Sequence, residues 1–431
     1  MPRLLTCCLL LLCISAAAEA AQPEATAPDA SATHLLENAV SFERQGRYNA
    51  ALAAYEELLQ YPLTGLMRER SLRRTARLYY QLAQYGQARP LFEQLLREFP
   101  DGQHAAEALA MLAWSHLAHK DTEFAANRFR ELYAKFPQTA HAREAAYWLA
   151  VAAADEQNRV TALGYVEWLI QELSPEEKRT SDRQAQLWLR GLCLKCQLAG
   201  RDGQWQSIKD LIGANEKSLD EGPDGTRALF WLAEAEFRTN NFPQARELFA
   251  RLQTLTIGIG EPWVAIVPLR RAQLAARRQQ WKDVLKHLDQ LEQSFPDFPV
   301  HYEVDYLRGR AQAGRGAMAA ARQSYRRVLA DQAATNTETA AQAQWMIGET
   351  FFHQRDYERA NAAYLQVMDI EGESAWQARA ALQAGKCLEL QERWNQASEV
   401  YREALRRWQT SDSAHQLQAR LNWAEKQLVR R

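Results

Sequence analysis

A small residue recurs along this chain at Ala39, Ala76, Ala113, Ala150, Gly191, Ala233, Ala272, Gly309, Gly348 and Gly385. The mean interval is about 38 residues, and a period of this size points to a stacked solenoid before any globular domain need be considered. Twelve positions later stands Ala51, Ala88, Ala125, Ala162, Ala245, Val284, Ala321, Ala360 or Ala397. Four positions beyond that comes a large apolar residue: Tyr55, Phe92, Phe129, Val166, Phe249, Leu288, Tyr325, Tyr364 or Tyr401. Each repeat thus carries two apolar stripes of helical period, parted by a short polar turn such as Gln45-Gly46-Arg47 or Gln354-Arg355-Asp356. That pattern is a helical hairpin. The small residue lets the two helices approach, and the large one fills the gap to the neighbouring repeat. Several repeats close on an aromatic-proline pair, as at Phe99-Pro100 and Phe136-Pro137, and the proline ends the second helix. One hairpin cannot bury both faces, so neighbours must stack on it.

Composition agrees. With 19 Gly and 14 Pro in 431 residues, helix breakers are scarce against a usual share of about 12%. Lys and Arg number 52 against 53 Asp and Glu, which excludes a general polyanion binder.

The frame resembles the tetratricopeptide repeat (TPR), a hairpin of about 34 residues with small residues at its eighth and twentieth positions and a proline near its end. The resemblance covers roughly residues 33–408. The extra residues per repeat are expected to lengthen the second helix or a loop. It implies an all-α, right-handed superhelical solenoid of about ten hairpins that binds proteins through its concave face. It implies no catalysis, no cofactor and no metal. The stretches Phe230–Glu234 and Trp345–Glu349 are similar to secreted or periplasmic bacterial members, such as the Tol–Pal division coordinator and the repeat lipoprotein of the outer-membrane barrel-assembly machine.

The N-terminus supports that compartment. Arg3 precedes an apolar run from Leu4 to Ile14, and Ala18-Glu19-Ala20 makes a small-x-small site. This reads as a secretory signal peptide over residues 1–20, cleaved after Ala20, and places the mature chain in the periplasm. The run is too short to span a bilayer, and no later run is longer, so no membrane span is expected after cleavage. Residues 21–32 are small and polar, with two prolines, and read as a flexible leader. An N-terminal arm of four repeats is expected over 33–175 and a C-terminal arm of five over 226–408. Between them, residues 176–225 form a degenerate fifth repeat or joint, because Gly191 is followed twelve residues later by Gly203. A second break lies at Leu255–Pro268. Residues 409–431 are expected to cap the exposed end as a last helix.

Chemistry-bearing motifs are sparse. There is no phosphate-binding loop and no nucleophile elbow. Cys193 and Cys196 have the spacing of a redox or metal pair, but they lie in a helical pattern without a second pair, which favours small buried hydrophobes. His116 and His119 would share a helix face, a weak metal signal that a solvated helix end explains better. Two basic clusters, Arg68–Arg77 and Arg270–Arg278, lie around first helices of repeats. They could line a groove for an acidic peptide, or pair with Glu on neighbouring helices.

In the TPR family the positions three before and one after the small residue point inward. The resemblance therefore implies groove residues at Arg73 and Arg77, Tyr147 and Val151, Phe230 and Glu234, Tyr306 and Arg310, and Trp345 and Glu349, with Arg270 beside them. The function expected is a non-enzymatic scaffold of the bacterial cell envelope, holding partner proteins or peptides and no nucleic acid. The alternative is an accessory module of polysaccharide export or cell-wall machinery that also touches glycan.

Overall fold

The computed structural model describes residues 30–174, 181–219 and 221–430. The expected signal segment, and the leader up to residue 29, lie outside the described residues. The described chain is helical throughout and contains no strand. It falls into two compact bodies that divide between Thr180 and Ser181.

The first body holds four hairpins. They are α1 (Ala30–Arg44) with α2 (Tyr48–Leu59), α3 (Gly65–Gln81) with α4 (Tyr85–Glu98), α5 (Ala105–Leu117) with α6 (Thr122–Lys135), and α7 (Ala140–Asp155) with α8 (Arg159–Leu173). The second body holds six. They are α9 (Asp182–Arg201) with α10 (Trp205–Gly213), α11 (Pro223–Arg238) with α12 (Phe242–Leu255), α13 (Ile266–Arg277) with α14 (Trp281–Ser294), α15 (His301–Gly314) with α16 (Met318–Ala330), α17 (Glu338–His353) with α18 (Tyr357–Leu365), and α19 (Ser374–Leu390) with α20 (Trp394–Arg407). A single helix, α21 (Ala414–Arg430), follows and packs Leu417, Leu421 and Ala424 against α20. Each body is therefore an all-α solenoid of helical hairpins. Helix α1 starts at Ala30, inside the stretch expected to be leader, because Ala32 is buried against the first hairpin.

The two helices of a hairpin have different burdens. A second helix buries one stripe at i, i+4 and i+7, as Ala88, Phe92 and Leu95 do in α4. A first helix is sandwiched and buried almost all round. In α5, Ala105, Ala106, Ala108, Leu109, Ala110, Leu112 and Ala113 all lie in the core. The seam is continuous from hairpin to hairpin within a body: Leu109, Ala113 and Phe129 join Ala142, Ala145 and Leu149 of the next.

The large residue of the frame sits on the small residue sixteen positions earlier. A Cβ added to Gly309 would lie 2.5 Å from the ring of Tyr325; at Gly348 the same holds for Tyr364. All three tyrosines of this kind, Tyr325, Tyr364 and Tyr401, are fully buried. Each such side chain contributes roughly 1.5–3 kcal/mol by burial.

All ten described hairpins turn in one way. The residue five positions before the frame alanine of the second helix has a left-handed backbone: Gly46, Ala83, Lys120, Gln157, Gly203, Asn240, Gln279, Gly316, Arg355 and Glu392. The next N–H reaches back five residues, as Gln84 N–H donates to the Tyr79 carbonyl at 2.9 Å. This pairing satisfies carbonyls that the helix end would otherwise orphan. Only three of the ten are Gly.

That turn corrects the reading of the fifth repeat. Gly203 is the left-handed turn residue, with φ of 69°, and the buried stripe of α10 is Ile208 and Ile212. Counting back twelve from Ile208 gives Cys196, which is fully buried. The small residue of this repeat is therefore Cys196, not Gly191. The repeat keeps the frame, and its offset comes from a longer first helix of 20 residues. Residues 200–219 are a helix end, a turn and a short helix packed on α9 and α11. The second break, at 255–268, is a loop leading through a short 3₁₀ turn, Pro262–Ala265, into α13.

Two predictions follow the ring and the turn. Gly164 lies inside α8 with open space around it, so Gly164→Ala should stabilise by roughly 0.5–1 kcal/mol. Gly385→Ala, facing the Tyr401 ring, should destabilise by about 1–3 kcal/mol despite the same gain in helix propensity. Urea denaturation followed by circular dichroism reads both, and equal signs would contradict the seating of the ring. Ala83→Gly should raise stability by about 0.5 kcal/mol, since relief of the left-handed strain exceeds the extra chain entropy of Gly. The same titration checks it, and a loss of stability would count against the turn.

Candidate functional site

Neighbouring first helices are tied by charge. Arg73 Nε donates to Glu107 Oε2 at 2.6 Å, linking α3 to α5. Arg74 donates to Glu43 at 3.1 Å, linking α3 to α1. Arg190 pairs with Asp224 at 2.9 Å, and Arg420 donates to Glu389 at 3.0 Å. The partners are 31 to 36 residues apart, about one repeat. The strongest tie joins α11 to α13. Arg270 forks onto Glu234 through Nε at 2.7 Å and Nη2 at 2.6 Å, and Arg238 adds a third bond at 2.7 Å. Both Arg270 and Glu234 are buried, and the Arg270 guanidinium lies 4.7 Å from the centre of the Phe237 ring. Burial pushes the Glu234 carboxyl up, but its hydrogen bonds to the two arginines outweigh this and hold it below the usual carboxylate range.

Most residues expected in the groove are thus used inside the solenoid. Arg73 and Arg77 both face Glu107. Phe230 is buried against Trp263, ring centres 5.0 Å apart. Glu234 and Arg270 form the buried fork. Glu349 accepts from the Tyr364 hydroxyl at 2.6 Å, and Trp345 packs on Tyr364 and Trp376. Tyr147 is half-buried. Val151 lines a cavity of about 630 Å³ between α6, α7 and α8, where Trp148 and Tyr165 supply the aromatic wall.

Tyr306 and Arg310 are the exception. They line a pocket of about 300 Å³ together with Phe237, Gln273, Arg277, Glu303, Leu307 and Thr339. These residues come from α11, α13, α15 and α17, which are four successive first helices. The Arg277 guanidinium stacks on Phe242 at 3.8 Å, and that of Arg310 lies 5.9 Å from the Tyr306 ring. Among the described residues neither has a carboxylate within ion-pair distance. Arg277 lay in a basic cluster of the sequence, but nothing there separated it from Arg270. One signal could have done so. An acidic residue stands 31 to 36 positions from Arg73, Arg74 and Arg270, and none stands so from Arg277 or Arg310.

The remaining candidates hold no reaction centre. Cys193, Cys196 and Cys387 are free and buried. Burial pushes the Cys193 and Cys387 thiols up to about 12, and Cys196 up as well, so none is a poised nucleophile. His116 turns to Asp121 at 3.4 Å, and His119 to the Ser115 carbonyl at 3.2 Å. No group of three metal-ligating side chains gathers among the described residues. Nor is any described helix long and apolar enough to cross a membrane.

Residues 73–123, 210–261 and 269–337 match the tetratricopeptide repeat family. Those three stretches cover about two fifths of the chain, and the match is to that repeat. No curated protein matches its sequence. Among solved structures, it is similar to a TPR protein from Parabacteroides merdae, at 14% identity over 70% of this chain and 93% of that one, with a TM-score of 0.32. It is similar to yeast Tom70 at 12% identity, 92% and 96% coverage and a TM-score of 0.36. It is also similar to the Cut9–Hcn1 hetero-tetramer of the APC/C at 13% identity, 91% and 96% coverage and a TM-score of 0.39. At such identities and scores the likeness extends to no partner and no activity.

The buried fork makes a prediction. Arg270→Ala should destabilise the second body by about 3 kcal/mol or more, because Glu234 loses its main partner in the core. The Glu234 carboxyl is depressed in the folded state, so its contribution is present above the usual carboxylate range. It is lost as pH falls through the folded value. The stability gap between wild type and Glu234→Gln should therefore shrink in acid. Thermal melts from pH 7 down to 3 measure it, and a gap constant with pH would contradict the ionised fork.

Proposed function

We propose that the chain is a non-enzymatic, protein-binding scaffold of the bacterial cell envelope. It takes an extended peptide along the first helices of its second body. One observation carries the reading: the pocket formed by four successive first helices keeps Arg277 and Arg310 without a carboxylate at ion-pair distance, whereas Arg270, two turns away from Arg277 on α13, is spent on a tie between repeats. Two such guanidinium groups line one pocket with Phe237, Tyr306 and Leu307, and a single carboxylate, Glu303, leaves that lining net positive, which suits a segment with an acidic side chain flanked by apolar ones. The signal segment read in residues 1–20 supports the envelope as its place. Glycan handling finds less support, since Trp345 is half-buried against Tyr364 and Trp376.

The test is capture of envelope proteins by the full chain, against the double variant Arg277→Glu and Arg310→Glu. Charge reversal should cut recovery of specific partners by about tenfold or more, equivalent to 1.4 kcal/mol, with the circular dichroism spectrum unchanged. Equal recovery by both proteins would overturn the groove. A chain that retains residues 1–20 in cells and stays in the cytoplasmic fraction would overturn the compartment.

A further inference from the structure

A second pocket lies on another surface, between α12, α13 and α14, and has a volume of about 250 Å³. Arg246, Arg271 and Lys286 line it, with Asp283 as its one carboxylate and Gln280 from the hairpin turn. Among the described residues none of the three cations has a carboxylate within ion-pair distance, and Asp283 acts on Arg271 only from farther away. This contrasts with the paired arginines of the first helices. Arg271 is half-buried, and burial lowers its pKa.

The fifth charged or titratable group is His287. It lines the same pocket, is only 8% exposed, and its Nδ1 is buried without a hydrogen-bond partner. A buried imidazole nitrogen with no partner carries an unmet desolvation penalty. Burial, reinforced by Arg271 and Lys286 and opposed by Asp283, pushes His287 down to about 4, so it is neutral near pH 7. The walls thus carry three positive charges and one negative, with a neutral ring beside them.

We propose that this pocket binds a phosphate group, free or on a small phosphomonoester. The local excess of two positive charges matches phosphate, which carries about −1.5 to −2 at neutral pH. A bound dianion would offset the repulsion among Arg246, Arg271 and Lys286 and would favour protonation of His287. The site is independent of the peptide groove, because its walls include the second helices α12 and α14.

The test uses the full chain and inorganic phosphate at constant ionic strength, with the His287 ring protons followed by NMR and binding by calorimetry. Saturable binding is expected, together with a rise of the His287 pKa. Arg271→Gln should weaken binding by about tenfold or more. Lys286→Gln changes an exposed side chain and should weaken it without touching the fold. Glycerol phosphate in a parallel arm distinguishes a free ion from a phosphomonoester by which binds more tightly. The proposal is overturned if phosphate acts no differently from chloride at equal ionic strength. It is equally overturned if folded Arg271→Gln and Lys286→Gln bind as the wild type does, or if His287 does not respond.

Discussion

Everything else in this fold depends on a ring seated on a residue without a side chain to obstruct it. The first helix of each hairpin must touch the second helix of its own repeat and the helices of its neighbours. It can do so only where its surface is nearly bare backbone. Sixteen residues on, a ring or branched chain fills that place. In the last three hairpins the ring is Tyr and the seat is Gly. Where it is Phe, at Phe92, Phe129 and Phe249, the seat is Ala. Tyr364 and Tyr401 use their hydroxyls to reach Glu349 and Glu389 at 2.6 and 2.7 Å, so a polar tip is carried into the core with its partner. Tyr325 has no such partner, which fits the absence of a carboxylate at the matching positions, Arg310 and Ala313.

The seat fixes the hairpin, and the turn fixes its register. Ten turns share one left-handed residue, although seven of them bear a side chain there. The strain, of order 1–2 kcal/mol at each non-glycine position, is tolerated because stripes on both helices must meet in register. Stacking then brings first helices side by side, where charges one repeat apart meet. Most arginines of that face are consumed in this way. The pattern of pairing lapses around Arg277 and Arg310, which is the place we propose for a partner.

The hairpins were legible in the sequence because their signal is local and periodic. The frame alanines and large residues from Ala39 to Tyr401 are buried as the spacing requires. The fifth repeat was misread for a physical reason. Its first helix is longer, and Gly203 has the size of a frame residue but serves the turn. Cys196, chemically conspicuous, turned out to be the small residue. The groove was less legible. A family rule for which positions point inward says nothing of whether a charge already has a partner, and Arg73, Glu234 and Arg270 do. Comparing charges one repeat apart would have separated them from Arg277 and Arg310. The His287 pocket left no periodic trace, since it depends on burial and on residues from three helices.

A double-mutant cycle at Gly385 and Tyr401, read by urea denaturation, tests the seated ring most directly. If the ring occupies the glycine's place, replacing Tyr401 with Leu should abolish most of the penalty of Gly385→Ala, giving a coupling energy of at least about 1 kcal/mol. Additive losses, with no coupling between the two positions, would contradict it.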